Sequence, residues 1–288
     1  MPLMAQGDLE VAYEVIGPDE GQPWVITPGG RFSKDYGGIR EMAAALAGQG
    51  KKVLIYDRLN CGESAVAFRG PSESEMQADS LAELLRQLEF GPTVIAGGSG
   101  GARVSLLTSA RHPDVAAGLA MWWISGGAYG LMSLGTHYCG PSILAAWGGS
   151  MEPVANLPEW QEVIDRNPRN RRRFLDQDAA EFKATMERWM HAYCGCGDPI
   201  VPGLEEDQAR QMSIPVLVFR SGASDPHHPR ETSEMVAARL PGARLVEPPW
   251  GDREWLERGA ATATGSSLFE RWQLLVPQLV SWAEESLG

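Results

Sequence analysis

The sequence predicts an α/β protein with a mostly parallel, doubly wound sheet and a helical lid inserted into its second half. Three observations lead there. Short apolar runs alternate with amphipathic runs of helix length, as in a parallel sheet covered on both faces. One apolar run, Val94-Ile95-Ala96, breaks into Gly97-Gly98-Ser99-Gly100-Gly101 and passes directly into a second amphipathic run. Between residues 127 and 212 the strand pattern stops, and helix-length runs rich in Trp and Met take its place.

Taken in order, residues 9–17 alternate Leu9, Val11, Tyr13 and Val15 with Glu10 and Glu14, the pattern of a half-buried strand. A turn at Gly17-Pro18-Asp19-Glu20-Gly21 precedes a short buried strand, Trp24-Val25-Ile26-Thr27, which Pro28-Gly29-Gly30 ends. Residues 41–46 read as helix and residues 52–56 as the next strand. Ser72-Glu73-Ser74-Glu75 opens a helix with a hydroxyl cap and early acids, and Met76, Ala78, Leu81, Leu84, Leu85 and Leu88 form its stripe. Residues 93–96 are the strand feeding Ser99, residues 102–111 the helix behind it, and residues 115–124 a further strand. In the insert the clearest helix spans residues 178–191. The sheet pattern then resumes with a strand at 215–220, a helix at 231–240, a strand at 243–247 and a terminal helix at 267–286. The expected organisation is a core of residues 1–126 and 213–288 with a lid at 127–212.

Composition narrows the partners. With 288 residues, 43% of them apolar, the chain has enough material for one large core. A formal charge of −12 argues against nucleic acid and against an anionic membrane surface, though it does not describe a pocket. The basic cluster at Asn167-Pro168-Arg169-Asn170-Arg171-Arg172-Arg173 reads as a solvated helix start with acidic partners. Cys61, Cys139, Cys194 and Cys196 lack the spacing of a disulfide framework, and Cys194-Gly-Cys196 has no second pair to complete a metal site. Residues 1–8 lack the basic and apolar regions of a signal peptide, and no run is long enough to span a bilayer. A cytoplasmic protein that binds a small molecule is expected, with no cofactor and no metal; homodimerisation is left open.

The chemistry concentrates at Ser99. Strand, serine, helix is the order of a nucleophile elbow, in which the serine sits on a sharp turn with its hydroxyl exposed above a helix N-terminus. Gly97 and Gly101 flank the turn where side chains would collide, and the Gly100 N–H points at a developing oxyanion. The glycine break at residues 28–30 leaves backbone N–H groups free to face a ligand.

These residues resemble the α/β-hydrolase superfamily over nearly the whole chain. The matches are the elbow at residues 97–101, the Pro28-Gly29-Gly30 turn, and Asp57-Arg58-Leu59-Asn60-Cys61-Gly62-Glu63-Ser64, which is similar to the family's D-x-R-G-x-G-x-S loop. The resemblance implies Gly30 as a second oxyanion donor, a cap at the helical insert, and Asp225 in Arg220-Ser221-Gly222-Ala223-Ser224-Asp225 as the acid. It also implies a histidine in the loop after the last strand. That loop reads Pro249-Trp250-Gly251-Asp252-Arg253 and holds none, since the five histidines are His112, His137, His191, His227 and His228.

His228, in Asp225-Pro226-His227-His228-Pro229, occupies the slot before a proline that faces the pocket in related enzymes, which makes it the candidate base. His137, early in the insert, is the other histidine able to overhang the pocket. His112 and His191, at helix ends, read as structural and surface residues. Asp225 is too near His228 in sequence to be assumed its partner, so Asp252 is expected either to orient His228 or to share a two-carboxylate site with Asp225. Arg31, His137 and Trp189 are the candidate substrate contacts. The expected activity is hydrolysis of a small, largely apolar ester, lactone or cleavable ketone. A lyase-type reaction and a non-catalytic ligand-binding role stay open, because the usual histidine is absent.

Overall fold

The computed structural model describes residues 2–194 and 199–288. Cys196 of the Cys194-Gly-Cys196 motif lies outside them. Eight strands form one sheet: β1 (Leu3–Gln6), β2 (Leu9–Ile16), β3 (Gln22–Thr27), β4 (Lys51–Tyr56), β5 (Thr93–Gly98), β6 (Ala116–Trp122), β7 (Val216–Phe219) and β8 (Ala243–Val246). Their spatial order is β1-β2-β4-β3-β5-β6-β7-β8. The pairs β1–β2 and β2–β4 are antiparallel, and every later neighbour pair is parallel. The expected class, a mostly parallel α/β sheet, is the one observed.

Period-two side-chain alternation divides the strands between two buried faces. Trp24, Ile26, Val53, Ile55, Val94, Ala96, Ala120, Trp122, Leu217 and Phe219 face α1 (Ile39–Ala47) and α12 (Val276–Leu287). Val25, Leu54, Tyr56, Ile95, Leu119, Met121, Val216 and Val218 face the opposite way. There α2 (Glu73–Gln87), α3 (Gly100–Arg111) and α10 (Arg230–Arg239) cover them. Burial on both faces explains why these strands read as unbroken apolar runs. The Ser72 hydroxyl accepts the Glu75 N–H at 3.1 Å and caps α2, as the sequence predicts.

Between β6 and β7 lie α4 (Gly127–Ala146), α5 (Glu152–Ala155), α6 (Pro158–Arg166), α7 (Arg169–Leu175), α8 (Ala179–Tyr193) and α9 (Glu206–Gln211). Trp160, Phe174, Phe182, Met186 and Trp189 form a buried aromatic centre around Phe68. The arginines of the basic cluster meet acids at Glu10, Glu152, Asp176 and Asp8. Burial pushes the Cys61 and Cys139 thiols up to about 12, so both serve as packing groups. No helix among the described residues is long and apolar enough to cross a membrane.

Three elements differ from expectation. Residues 3–6 form a strand, joined to β2 by a tight turn at Gly7 (φ 67°) and Asp8. The terminal helix begins only at Val276, after a 3₁₀ turn (Glu270–Leu275), because Pro277 suits the first turn of a helix and not its interior. A further helix, α11 (Glu254–Ala263), follows β8 where a loop is expected.

Asn170 ties the insert to the sheet. Its Oδ1 accepts the Val66 N–H at 3.0 Å, and its Nδ2 donates to the Ser64 and Val163 carbonyls, both at 2.9 Å. The side chain is fully buried. Asn170→Leu leaves these backbone groups unpaired, and each buried unpaired group costs roughly 1–3 kcal/mol. A loss of at least ~2 kcal/mol is expected by urea denaturation, with a larger loss than for a surface change such as Arg172→Ala.

Candidate active site

The site begins with backbone geometry. Ser99 adopts φ 57° and ψ −126°, a left-handed conformation at the junction of β5 and α3. Packing imposes it. A Cβ on Gly97 would lie 2.6 Å from the Gly101 carbonyl oxygen and from Ser105 Oγ, and one on Gly98 would collide with Trp122 and Trp272. A Cβ on Gly101 would strike the Thr27 and Pro28 carbonyls. At Gly100 the nearest atom would be the Gly30 N at 3.4 Å, so that glycine is not sterically required. The Gly30 nitrogen therefore lies close to the Gly100 backbone beside Ser99.

His228 Nε2 lies 2.9 Å from Ser99 Oγ, and its Nδ1 lies 2.8 Å from Asp225 Oδ2. The three side chains thus form a continuous hydrogen-bonded chain, with the acid and the imidazole on one loop after β7. A turn makes this possible. Asp225 Oδ1 accepts the N–H groups of His227 (3.0 Å) and His228 (3.1 Å), so Asp225-Pro226-His227-His228 folds back over its own carboxylate. Asp at the first and Pro at the second position of a turn favour this path.

Arg258, from α11, donates to Asp225 Oδ2 at 3.0 Å and to Glu254 Oε1 at 3.0 Å. Its guanidinium carbon lies 3.9 Å from the centre of the Trp123 ring, which also stacks against His228. Burial alone would raise the Asp225 carboxyl. The hydrogen bond and charge of His228, with Arg258 and the backbone N–H donors, hold it below the usual carboxylate range. Burial lowers the His227 imidazole, reinforced by the neighbouring His228; its ring packs on Tyr129 and Trp255, away from Ser99.

Beside Ser99 lies a small cavity lined by Gly30, Arg31, Arg58, Glu73, Gln77, Gly100, Arg103, Ser125, Leu134, Tyr138 and Tyr193 among others. Arg58 donates to the Gly29 carbonyl at 3.1 Å and to that of Gly30, steadying the turn whose N–H faces Gly100. Arg31 is engaged bidentately by Glu73, both contacts at 3.2 Å. A larger, more apolar cavity shares Ser125 and Tyr193 with the first; Leu131, Met132, Ile200 and Met235 line it.

Ser99, Gly30, Gly100, Asp225 and His228 are thus brought together. Asp252 is not. Its side chain is exposed and pairs with Arg230, and only its backbone carbonyl touches the acid loop, accepting the Ser224 N–H at 3.1 Å. The place beside Asp225 belongs to Arg258, so neither the orienting role nor the two-carboxylate site expected of Asp252 forms. His137 is exposed and packs on Tyr138, and Trp189 is buried in the insert's aromatic centre without lining the Ser99 cavity. Arg31 does line it, with its charge already paired. His112 pairs with Asp79 at 2.7 Å, and His191 is exposed. Arg258, Arg58, Arg103 and Glu73 went unrecognised. The i,i+4 spacing of Glu254 and Arg258 was the one available signal for α11, and an Arg four residues after the elbow serine was the signal for Arg103.

No family model matches the chain, and no curated protein matches it. Solved structures do. An enol-lactonase from Burkholderia xenovorans LB400 is 21% identical, covering 98% of this chain and 100% of its own, with a TM-score of 0.59. A thermophilic esterase from Thermogutta terrifontis, solved with malate bound, is 20% identical over 97% and 95% of the two chains at TM-score 0.58. An esterase from Exiguobacterium antarcticum is 16% identical over 96% of each at 0.58. The fold of this chain is the α/β-hydrolase fold.

Two measurements test the site's construction. Gly101→Ala should destabilise the protein by at least ~1 kcal/mol, within the range for overpacking, while Gly100→Ala should stay within about 0.5 kcal/mol of wild type; urea titration compares them. A carboxyl whose folded-state pKa is depressed stabilises the fold above its unfolded value, and that contribution is lost as pH falls through the folded value. The stability gap between wild type and Asp225→Asn should therefore be full near neutrality and shrink below about pH 4, read from urea midpoints across that range.

Proposed function

We propose that this protein is a serine hydrolase acting on small esters or lactones, with Ser99 as nucleophile, His228 as general base and Asp225 as the orienting acid. The observation that carries this reading is the His228 imidazole bridging Ser99 Oγ at 2.9 Å and Asp225 Oδ2 at 2.8 Å. Asp225 accepts the Nδ1–H, which leaves Nε2 unprotonated toward Ser99. As Ser99 Oγ bonds to the substrate carbonyl carbon, its proton passes to Nε2, and the carbonyl oxygen gains charge facing the Gly30 and Gly100 N–H groups. Collapse breaks the carbonyl-to-alkoxy bond, and the imidazolium returns its proton to the leaving oxygen. Water, deprotonated by the same nitrogen, then hydrolyses the acyl-serine and restores the enzyme.

Arg258 acts through Asp225 as a positioning residue in this scheme. In this reading the base comes from the loop after β7, and α11, which follows β8, contributes the cation Arg258 where a histidine is expected. This supports hydrolysis over the lyase and binding-only readings, whose motive was the missing base. The polar cavity at Ser99 favours a substrate with a polar group next to the scissile bond and an apolar portion in the adjoining cavity. The insert, α4 to α9, serves as the cap in this reading, since Leu134, Tyr138 and Tyr193 line the cavity beside Ser99.

A fluorophosphonate probe should label Ser99 in the wild type and not in Ser99→Ala, as read by intact-protein mass spectrometry; an unlabelled wild type would sink the proposal. His228→Ala should slow labelling and ester turnover by about 10²–10⁴, the usual contribution of a general base. Asp252→Asn should change either rate by less than about threefold, consistent with an exposed residue. Equal rates in wild type and His228→Ala would reject His228 as the base.

A further inference from the structure

Arg103 is a buried cation without a counter-ion. It sits on the fourth residue of α3, 5% exposed, and lines the cavity beside Ser99. No carboxylate among the described residues pairs with it, and its Nε has no hydrogen-bond partner. The one acid in the cavity, Glu73, is already occupied. Its Oε1 accepts from Arg31 (3.2 Å) and Asn60 (2.8 Å), and its Oε2 accepts from Arg31 (3.2 Å). Arg58 is engaged as well, with Gln77 at 3.1 Å and with the Gly29 and Gly30 carbonyls. The cavity therefore holds three guanidinium groups against one carboxylate, inside a chain whose formal charge is −12.

Two physical penalties attach to Arg103. Burial strips water from its charge, and that desolvation holds its pKa below the ordinary arginine value, with Tyr193 partly offsetting it. The residue also stands near the positive end of a helix, where a cation is disfavoured. Helical side chains lean toward the N-terminus, so its head group is carried back toward the Ser99 end of α3. There its guanidinium carbon lies 4.6 Å from the centre of the Tyr193 ring. Its guanidinium is hydrogen-bonded to Tyr193 while the buried Nε–H has no partner, so a donor remains on the fork that matches a carboxylate.

We infer that the Ser99 cavity recognises a carboxylate on the ester or lactone substrate, with Arg103 as its anchor. This rests on the reading of Ser99 as the nucleophile. The substrate class is then an acid-bearing ester whose carboxylate enters the inner cavity together with the scissile carbonyl. The polar lining and the absence of an internal counter-ion follow from this: the substrate supplies the missing negative charge.

The test compares 4-nitrophenyl pentanoate with 4-nitrophenyl hydrogen glutarate, acyl chains that differ by a terminal methyl against a terminal carboxylate. In the wild type the ratio of kcat/KM should favour the glutarate ester at least about tenfold, and in Arg103→Met that ratio should fall by about 10- to 100-fold, the range for a lost charge-assisted hydrogen bond. Arg103→Lys should recover part of it. A ratio unchanged in Arg103→Met overturns the inference. Should Arg103→Met fail to fold, fluorophosphonate labelling of wild-type Ser99 in the presence of glutarate or of neutral glutaramide decides the question. Glutarate slowing the labelling selectively supports the inference, and equal effects of the two overturn it. Absence of labelling with neither additive present overturns the nucleophile reading itself, and this inference falls with it.

Discussion

The structure turns on the left-handed backbone of Ser99. A non-glycine residue held at φ 57° carries strain of order 1–3 kcal/mol and persists only where its surroundings over-determine it. Here they do so sterically. The first turn of α3 approaches the end of β3 so closely that Gly101 has no room for a Cβ beside the Thr27 and Pro28 carbonyls. That close approach fixes the distance between two loop ends of the sheet. It therefore fixes the Gly30 and Gly100 nitrogens relative to the serine hydroxyl, and Arg58 holds the Gly29-Gly30 turn from behind.

The second half of the site is arranged around a single carboxylate. The Asp225 carboxylate accepts four hydrogen bonds: two from its own turn, one from the His228 ring, and one from Arg258 on a separate helix. The backbone pair holds the carboxylate while the other oxygen is shared between an imidazole and a guanidinium. Trp123, itself at φ 49°, offers its ring to both His228 and Arg258. Strand ends, turn and α11 thus converge on one acid. The position after β8 supports the acid, while the imidazole comes from the loop after β7.

Charge is distributed against the bulk. Most arginines of this acidic chain pair with acids on the surface, as those of the 166–173 segment do. The Ser99 cavity reverses the ratio, because Glu73 answers only Arg31 and Asn60. In a low-dielectric site an unanswered guanidinium interacts far more strongly with an incoming anion than one in water. Net charge therefore says nothing of what this cavity attracts.

The sequence by itself determined the mostly parallel sheet and put Ser99 on a glycine-rich turn between a strand and a helix. Strands buried on both faces must be apolar throughout, and a turn that brings α3 against β3 must be glycine. Both requirements act through neighbours a few residues apart, so they are written locally. Asp225 and His228 were likewise visible as candidates, one at the end of β7 and the other before a proline. Their partnership was not, because it depends on a turn that folds the chain back on itself, and a three-residue spacing does not specify that turn. Asp252 matched a position along the chain, but Arg230 draws its side chain outward and Arg258 occupies the space it was expected to fill. Arg258, Arg103 and Glu73 come to the site from helices α11, α3 and α2, which carry few chemical signatures of their own. Their roles arise from which groups lie within hydrogen-bond reach after burial. That is decided by packing across the whole sheet, and only the tertiary structure contains it.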